Sequence, residues 1–415
     1  MYKFEKMTEE QLNIVTKMTL EAYPGIEAAP DAYAERIKAN SNRPDVNYYT
    51  VQNEDGTAVA TYNTWDFDSM NFRGTSIKVG GIGSVAVDLN HKKQGVAKAM
   101  LTHWLNGLSA QGRNFATLYP FNSSFYHKMG FGFGIVGHQL RLKPADLPCS
   151  DGTKSHIRKL TIDDVQAMAD YYNRKVTTTH GLKNKAVSEF EPRMKGHMVK
   201  TFAYVDGGQV HGYVALTFKR GSQTDFLSND IEIGELFFDT PAVFAELMAF
   251  CKSQADQVRY IIINTQDEGL LQIPKDARNH TENTFLASHQ EAAKTGRGIM
   301  YRVVDMIGFI KDIANVQFGN LNLTLKLNLT DTFLPQNNKP WLLEFADGKM
   351  SIVEGKSHDV ELAIDVAEFS SLIMGCVSLV TLVKYGKATL VADTYLHALN
   401  QAFTTPEKPV CTTFF

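Results

Sequence analysis

Cysteine is scarce and scattered: four residues in 415, at positions 149, 251, 376 and 411, with no Cys-x-x-Cys pair and no clustered histidines. That usage excludes a disulfide framework and a zinc site. No bound metal is expected, and a reducing cytoplasm is the expected location. Long apolar runs are missing as well. The most apolar uncharged stretch, residues 369–383, contains Ser370, Ser371, Ser378 and Thr381 and falls short of the roughly 20 residues a membrane-spanning helix requires. It reads as one buried helix, so no membrane partner is expected. An export signal needs an unbroken apolar segment, whereas Met1-Tyr2-Lys3-Phe4-Glu5-Lys6-Met7 alternates charged and apolar residues. A surplus of positive charge is absent too: 42 Lys and Arg against 45 Asp and Glu give a net charge of -3. Neutralising phosphates takes a concentrated basic field, so no nucleic-acid partner is expected.

What is present is ordinary globular material, 44% apolar and 21% charged, and its length suits about three domains of ~150 residues. Leu142-Lys143-Pro144-Ala145-Asp146-Leu147-Pro148-Cys149-Ser150-Asp151-Gly152 interrupts the apolar patterning with prolines, glycine and small polar residues, which marks a first boundary. Beyond it the opening of the chain is echoed. Lys159-Leu160-Thr161-Ile162-Asp163-Asp164-Val165 parallels Lys6-Met7-Thr8-Glu9-Glu10-Gln11-Leu12, each a short strand, a Thr N-cap and an acidic first turn. Two hairpins also correspond: Tyr48-Tyr49-Thr50-Val51 with residues 58–62, and Phe202-Ala203-Tyr204-Val205 with residues 211–216. The repeated order predicts two modules of one fold. From Gly298 the pattern changes again. Residues 321–329 alternate with period two, residues 341–345 and 350–353 flank Ala346-Asp347-Gly348-Lys349 as a hairpin, residues 360–364 add a strand, and helices follow from Val366. The expected division is 1–148, 149–296 and 297–415, and the expected class is α+β.

The chemistry concentrates in the first module. Ile82-Gly83-Ser84-Val85-Ala86-Val87-Asp88-Leu89-Asn90-His91-Lys92-Lys93-Gln94-Gly95-Val96-Ala97-Lys98 reads as strand, basic loop and helix. Such a loop either aims backbone N–H groups and a helix N-terminus at a pyrophosphate or is a plain exposed basic turn. A second segment follows the strand Phe115-Ala116-Thr117-Leu118-Tyr119: after Pro120-Phe121-Asn122 comes Ser123-Ser124-Phe125-Tyr126-His127-Lys128-Met129-Gly130-Phe131.

Together these two segments resemble the GCN5-related N-acetyltransferase superfamily. Lys92-x-x-Gly95-x-Ala97 matches its Arg/Gln-x-x-Gly-x-Gly/Ala coenzyme loop, and residues 125–131 match its Phe-Tyr-x-Lys-x-Gly-Phe motif. Lys92 stands where the family prefers Arg or Gln, and Leu89 where it often has Pro. The whole chain is similar to the Eis (enhanced intracellular survival) branch, with a catalytic acetyltransferase domain, a degenerate second copy and a sterol-carrier-protein-like domain. The resemblance implies acetyl-CoA as donor, a small-molecule amine such as an aminoglycoside as acceptor, and a homo-hexamer. It also implies coenzyme contacts from Val85, Ala86 and Val87, from Lys93, Gln94, Gly95, Val96, Ala97 and Lys98, and from Phe121 and Asn122. In acyl transfer an oxyanion must be stabilised, a leaving thiolate protonated and an amine deprotonated. Backbone N–H groups around residues 85–87 suit the first task and the Tyr126 phenol the second. The resemblance assigns the third to the terminal carboxylate of Phe415.

The second module serves as an internal control. Its equivalent strand, residues 231–239, runs into Thr240-Pro241-Ala242-Val243-Phe244 with no glycine or basic residue to cradle phosphate, so this copy is expected to lack a coenzyme site. For a cationic acceptor, Glu21, Glu27, Asp31 and Glu35 around Tyr23 and Tyr33 are candidates, each equally readable as part of a solvated helix face. Competing functions are acetylation of protein lysines or polyamines, and non-catalytic binding of an apolar ligand along residues 372–382.

Overall fold

The computed structural model describes residues 2–149 and 153–415, so positions 150–152 of the expected first boundary lie outside the described residues. Two compact units emerge: one comprises Met1–Gly134, Ile299–Glu407 and Thr413–Phe415, the other Ile135–Gly298 and Lys408–Thr412.

The first unit opens with strand β1 (Lys3–Lys6), helices α1 (Leu12–Ala22) and α2 (Pro30–Ser41), and the antiparallel run β2 (Val46–Gln52), β3 (Ala58–Phe72) and β4 (Thr75–Val87). Helix α3 (Val96–Ala110) crosses over to β5 (Phe115–Leu118), parallel to β4, and the short helix α4 (Ser123–His127) leads to β6 (Gly132–Phe133). Thr8, the expected N-cap, forms a capping box with Gln11 ahead of α1, the Thr8 N–H donating to Gln11 Oε1 at 3.0 Å. Helix α3 buries Val96, Met100, Leu101, Trp104, Leu105 and Leu108, a helical-period stripe, against Tyr62 and Ile82 of the sheet. Each such side chain contributes about 1.5–3 kcal/mol by leaving water. Leu108 reaches the backbone itself: a Cβ on Gly80 would lie 2.5 Å from its methyl carbon.

The seven-stranded sheet is completed by a distant segment. Its order is β1-β2-β3-β4-β5, then Met300–Val303, then β6. Met300 pairs with Leu118 of β5 and Phe133 of β6. Arg302, fully buried, donates to both Asp331 carboxylate oxygens at 2.9 and 2.7 Å and to the Met129 carbonyl at 2.5 Å. Asp331 in turn accepts from the Phe333 and Leu334 amides and from Asn337 Nδ2. Removing one partner of so buried a pair costs about 3–5 kcal/mol.

The C-terminal part of this unit is a five-stranded sheet ordered Lys349–Val353, Pro340–Ala346, Leu323–Thr330, Val360–Asp365, Ala388–Val391. The expected hairpin is present, turning through Asp347 and Gly348, both at positive φ. The single helix expected over residues 369–383 is instead two, Val366–Ile373 and Leu379–Lys384. Gly375 adopts φ +70°, which ends the first, and the Ser378 hydroxyl caps the second by accepting from the Thr381 N–H. Leu372, Ile373 and Met374 are fully buried.

The second unit repeats the plan of the first module. Thr161 and Asp164 form its capping box, the helix Val165–Thr178 follows, and Val199–Asp206 and Gln209–Arg220 make a hairpin whose turn glycines 207 and 208 both have positive φ. Asn229–Phe238 then pairs parallel with Val258–Thr265 across the helix Pro241–Lys252. The strand Val136–Leu142, inside the expected first domain, pairs here with Val258–Thr265 and Ala293–Arg297. Sheet membership thus changes near residue 135 and again near 298, where the expected boundaries stood at 148 and 296.

Candidate functional site

The parallel pairing of β4 with β5 covers only residues 79–82 against 115–118. Beyond it β5 stops while β4 continues to Val87, so the two strands part and leave a cleft between them. On the other side of β4 the ladder to β3 is irregular: Gly83 faces Asn63, yet Ala86 faces Thr61, and Ser84 takes a left-handed φ of 48°. This bulge re-aims the backbone of residues 85–87. The Tyr23 hydroxyl donates to the Val85 carbonyl at 2.9 Å, and burial, with Tyr33 second, pushes the Tyr23 phenol up to about 12.

The loop between β4 and α3 is exposed at Lys92, Lys93, Gln94 and Gly95. Lys93 and Gly95 both lie in the left-handed region, at φ 62° and 84°. Gly95 is the N-cap residue of α3, and the first turn carries no acidic side chain. Alternating left-handed positions ahead of a helix gather N–H groups into an anion-binding concavity. Nothing in the protein lies within 4 Å of a Cβ at Gly95, so conformation rather than packing demands glycine there. Val96 is buried in the core, Ala97 is half-buried, and Lys98 is exposed. These positions can therefore hold a pyrophosphate through backbone N–H groups and the Lys93 and Lys98 ammonium groups.

Helix α4 places Tyr126, 3% exposed, against Phe121 at 5.8 Å and Phe131 at 6.2 Å. Burial, with a smaller contribution from Tyr23, raises its pKa far above neutral, so the phenol is a proton donor at physiological pH. Among the described residues its hydroxyl has no hydrogen-bond partner. Phe121 is exposed. The Asn122 side chain caps α4, accepting from the Phe125 N–H at 3.3 Å and the Ser124 hydroxyl at 2.8 Å.

The chain end lies in the mouth of the cleft. The Phe415 ring packs at 5.1 Å from Phe67, 5.4 Å from Tyr119 and 6.2 Å from Trp65, while Phe414 stacks on Tyr119 at 5.3 Å. Glycines in β4 make the room. A Cβ on Gly81 would come within 2.9 Å of the Phe415 ring, and one on Gly83 within 2.9 Å of its carboxyl carbon. Sequence reasoning missed Gly81 and Gly83, although Gly80-Gly81-Ile82-Gly83 inside an apolar strand signals a close backbone approach. It also missed Asn63, Trp65 and Phe67, which line the face of β3 beside that gap. The proposed acceptor acids are not gathered: Glu21, Glu27, Asp31 and Glu35 are all exposed, and Glu21 pairs with Lys17 at 3.8 Å. Tyr33 is buried under Arg36.

In the second unit the strand Asn229–Phe238 leads to a helix whose N-terminus is closed by the Thr240 hydroxyl and by Pro241, which has no N–H to offer. Buried Glu235 lies two residues beyond the last parallel-paired position, Ile233, held by Arg193 at 2.7 and 2.8 Å and by the Tyr213 hydroxyl at 2.8 Å.

A splayed parallel pair, a bulged strand and an anion-binding loop define a GNAT-type acyltransferase fold. Residues 3–134 match the family described as acetyltransferase (GNAT) domain, and residues 311–412 the one described as sterol carrier protein domain. The chain is an acetyltransferase carrying a GNAT domain and a C-terminal sterol carrier protein domain. A protein of Streptomyces avermitilis described as an uncharacterized N-acetyltransferase is 23% identical over 378 residues, 86% of each chain. Two solved structures share the fold over the full length of both chains. A GCN5-related N-acetyltransferase from Anabaena variabilis has a TM-score of 0.82 at 16% identity, and Eis1 from Mycobacterium abscessus one of 0.77 at 15%. Among the described residues no helix is long and apolar enough to cross a membrane.

Proposed function

We propose that this chain transfers the acetyl group of acetyl-CoA to a primary amine of a cationic small molecule, an aminoglycoside being one such acceptor. The observation that carries the reading is the Phe415 carboxyl group set over Gly83 in the mouth of the β4–β5 cleft. Acetyl-CoA supplies an activated acyl group on a thiol leaving group. Lys93, Gln94, Gly95, Val96, Ala97 and Lys98 hold its pyrophosphate, the backbone of Val85, Ala86 and Val87 binds its pantetheine arm and the carbonyl oxygen, and Phe121 and Asn122 flank the entrance. The Phe415 carboxylate holds the incoming ammonium and receives its proton, directly or through water, since an α-carboxyl with a pKa of about 3.5 is a weak base. Tyr126 gives its phenolic proton to the departing sulfur. In this reading the second unit binds no coenzyme, and the assembly is a hexamer of identical subunits, which light scattering tests.

A panel of amines assayed for coenzyme A release tests the reaction: aminoglycosides and polyamines are expected to be acetylated, with peptide lysines as the competing acceptor. Calorimetric titration is expected to give one acetyl-CoA site per chain and none in Gly95→Glu, whose side chain places negative charge in the loop. Two sites per chain overturn the assignment to the first module.

A further inference from the structure

Chain ends commonly fray, yet residues 408–412 pack into the second unit. Pro409 and Cys411 are buried there, and Val410 lies against the core that contains Leu160, Tyr172 and Val176. The approach is close: a Cβ on Gly181, which adopts φ +88°, would fall 2.8 Å from the Val410 carbonyl oxygen. The Val410 N–H donates to the His180 carbonyl at 2.8 Å.

Gln266 makes the most specific contact with this segment. Its side-chain oxygen accepts from the Cys411 N–H at 2.7 Å, and its amide nitrogen donates to the Cys411 carbonyl at 2.9 Å. One side chain thereby satisfies both backbone groups of one residue, as a neighbouring strand would. The next residue is held too. Thr412 shares a hydrogen bond with the Tyr172 hydroxyl at 2.9 Å, and its carbonyl accepts at 3.4 Å from Lys185 Nζ, which lies 3.5 Å from Glu235. Gln266 directly follows the strand Val258–Thr265, and Glu235 lies on Asn229–Phe238. Residues 411 and 412 therefore sit at the end of this parallel pair, the counterpart of the β4–β5 cleft. Each module meets the same tail with the residue that follows its second parallel strand: Tyr119 stacks on Phe414 in the first, and Gln266 clamps Cys411 in the second.

We propose that the end of the second unit's parallel pair is a binding site for the chain's own C-terminal segment, and that Gln266 is a positioning residue for the Phe415 carboxylate. This rests on the role given to Phe415 above. Phe415 follows Cys411 by four residues, a reach of up to about 14 Å when extended, so a loosened clamp lets the carboxylate wander far beyond the ~1 Å that separates productive from unproductive geometry. The site gives the second module a task that needs no coenzyme loop.

The test follows hydrogen exchange of residues 408–415 in the intact protein by mass spectrometry, alongside kcat and acetyl-CoA titration. In the native protein these amides are expected to exchange about 100-fold more slowly than in a free peptide of the same sequence. Gln266→Met keeps the length of the side chain and removes its hydrogen-bonding amide. It is expected to speed exchange of the tail about 10-fold and to lower kcat about 10- to 100-fold, with acetyl-CoA affinity within about twofold and melting temperature as the control for folding. Thr412→Val, which removes the hydroxyl shared with Tyr172, is expected to give the same pattern more weakly and keeps the test open if Gln266→Met does not fold. Native exchange as fast as in the free peptide overturns the proposal without any variant, as does unchanged tail exchange in Gln266→Met. A fall in acetyl-CoA affinity that matches the fall in kcat marks a general disruption and overturns the positioning role. Faster exchange with native kcat also overturns that role if a C-terminally tagged protein is inactive; if the tagged protein is fully active, the binding site stands and the role given to Phe415 fails.

Discussion

The carboxyl carbon of Phe415 lies within 2.9 Å of the point where any side chain on Gly83 would begin. Glycine at 83 and a terminal carboxylate at 415 are therefore mutually dependent. Gly83→Ala is expected to push the chain end out of the cleft and lower kcat about 100-fold, since a displacement of ~1 Å at a reacting group can have that effect. Gly81→Ala, which crowds the Phe415 ring, is expected to act in the same direction. Acetyl-CoA affinity should stay within about twofold in both, as measured by titration; loss of coenzyme binding would show a wider disruption of β4.

Extending the chain beyond Phe415 tests the carboxylate itself. One added residue moves the charge by up to about 3.5 Å, far outside the ~0.5 Å tolerance of a catalytic group. Acetyl transfer is expected to vanish in a C-terminally tagged protein and in one lacking Phe414 and Phe415, with the melting temperature largely retained. Full activity of the tagged form would assign the base elsewhere.

For Tyr126→Phe the expected change is confined to turnover. The hydroxyl has no partner to lose, so the substitution removes only a transferable proton, and kcat should fall about 100- to 10,000-fold with acetyl-CoA affinity unchanged. An unchanged kcat would take Tyr126 out of the reaction.

Stability should carry a pH signature from His127, whose Nε2 lies 3.1 Å from Glu368. The hydrogen bond to Glu368 raises the imidazole pKa, outweighing burial, while burial, the largest single influence on Glu368, is outweighed only by the His127 bond and charge, a backbone hydrogen bond and Lys387 together, which leave its pKa lowered. A raised folded-state value means the histidine stabilises the fold fully below its ordinary pKa of about 6.5, and the contribution disappears as pH rises through the raised value. Melting temperatures of native and His127→Gln protein should differ by about 1–3 °C at acidic pH and converge toward alkaline pH. A gap that widens with pH would contradict the assignment.

Much of this was legible in local chemistry. The Thr8 and Thr161 N-caps, the Asp347-Gly348 turn and the repeated module order all follow from short-range rules about caps, turns and period. The loop before α3, with left-handed Lys93 and Gly95, and the Tyr126 helix could be located because their motifs are contiguous. Three features were not. Residues 136–142 and 300–303 are short strands without a clear period, 300–303 buried at every position, and composition alone never states which sheet covers a strand. Residues 369–383 carry an apolar composition that hides the left-handed Gly375 in their middle. Asn63 gave no signal at all, because the gap it lines is filled by Phe415, more than 350 positions away in sequence.

The completion of the first sheet by Met300–Val303 bears on how the molecule is made. During synthesis β5 emerges and pairs with β4 while its other edge stays open, until the ribosome has delivered the whole second unit and Met300 can meet Leu118. Closing so long a loop is slow, and an unpaired apolar edge is a template for association with other chains in the meantime. A fragment ending at residue 148 retains that open edge permanently, so its failure to stay monomeric would reflect topology and say nothing about the soundness of its catalytic residues.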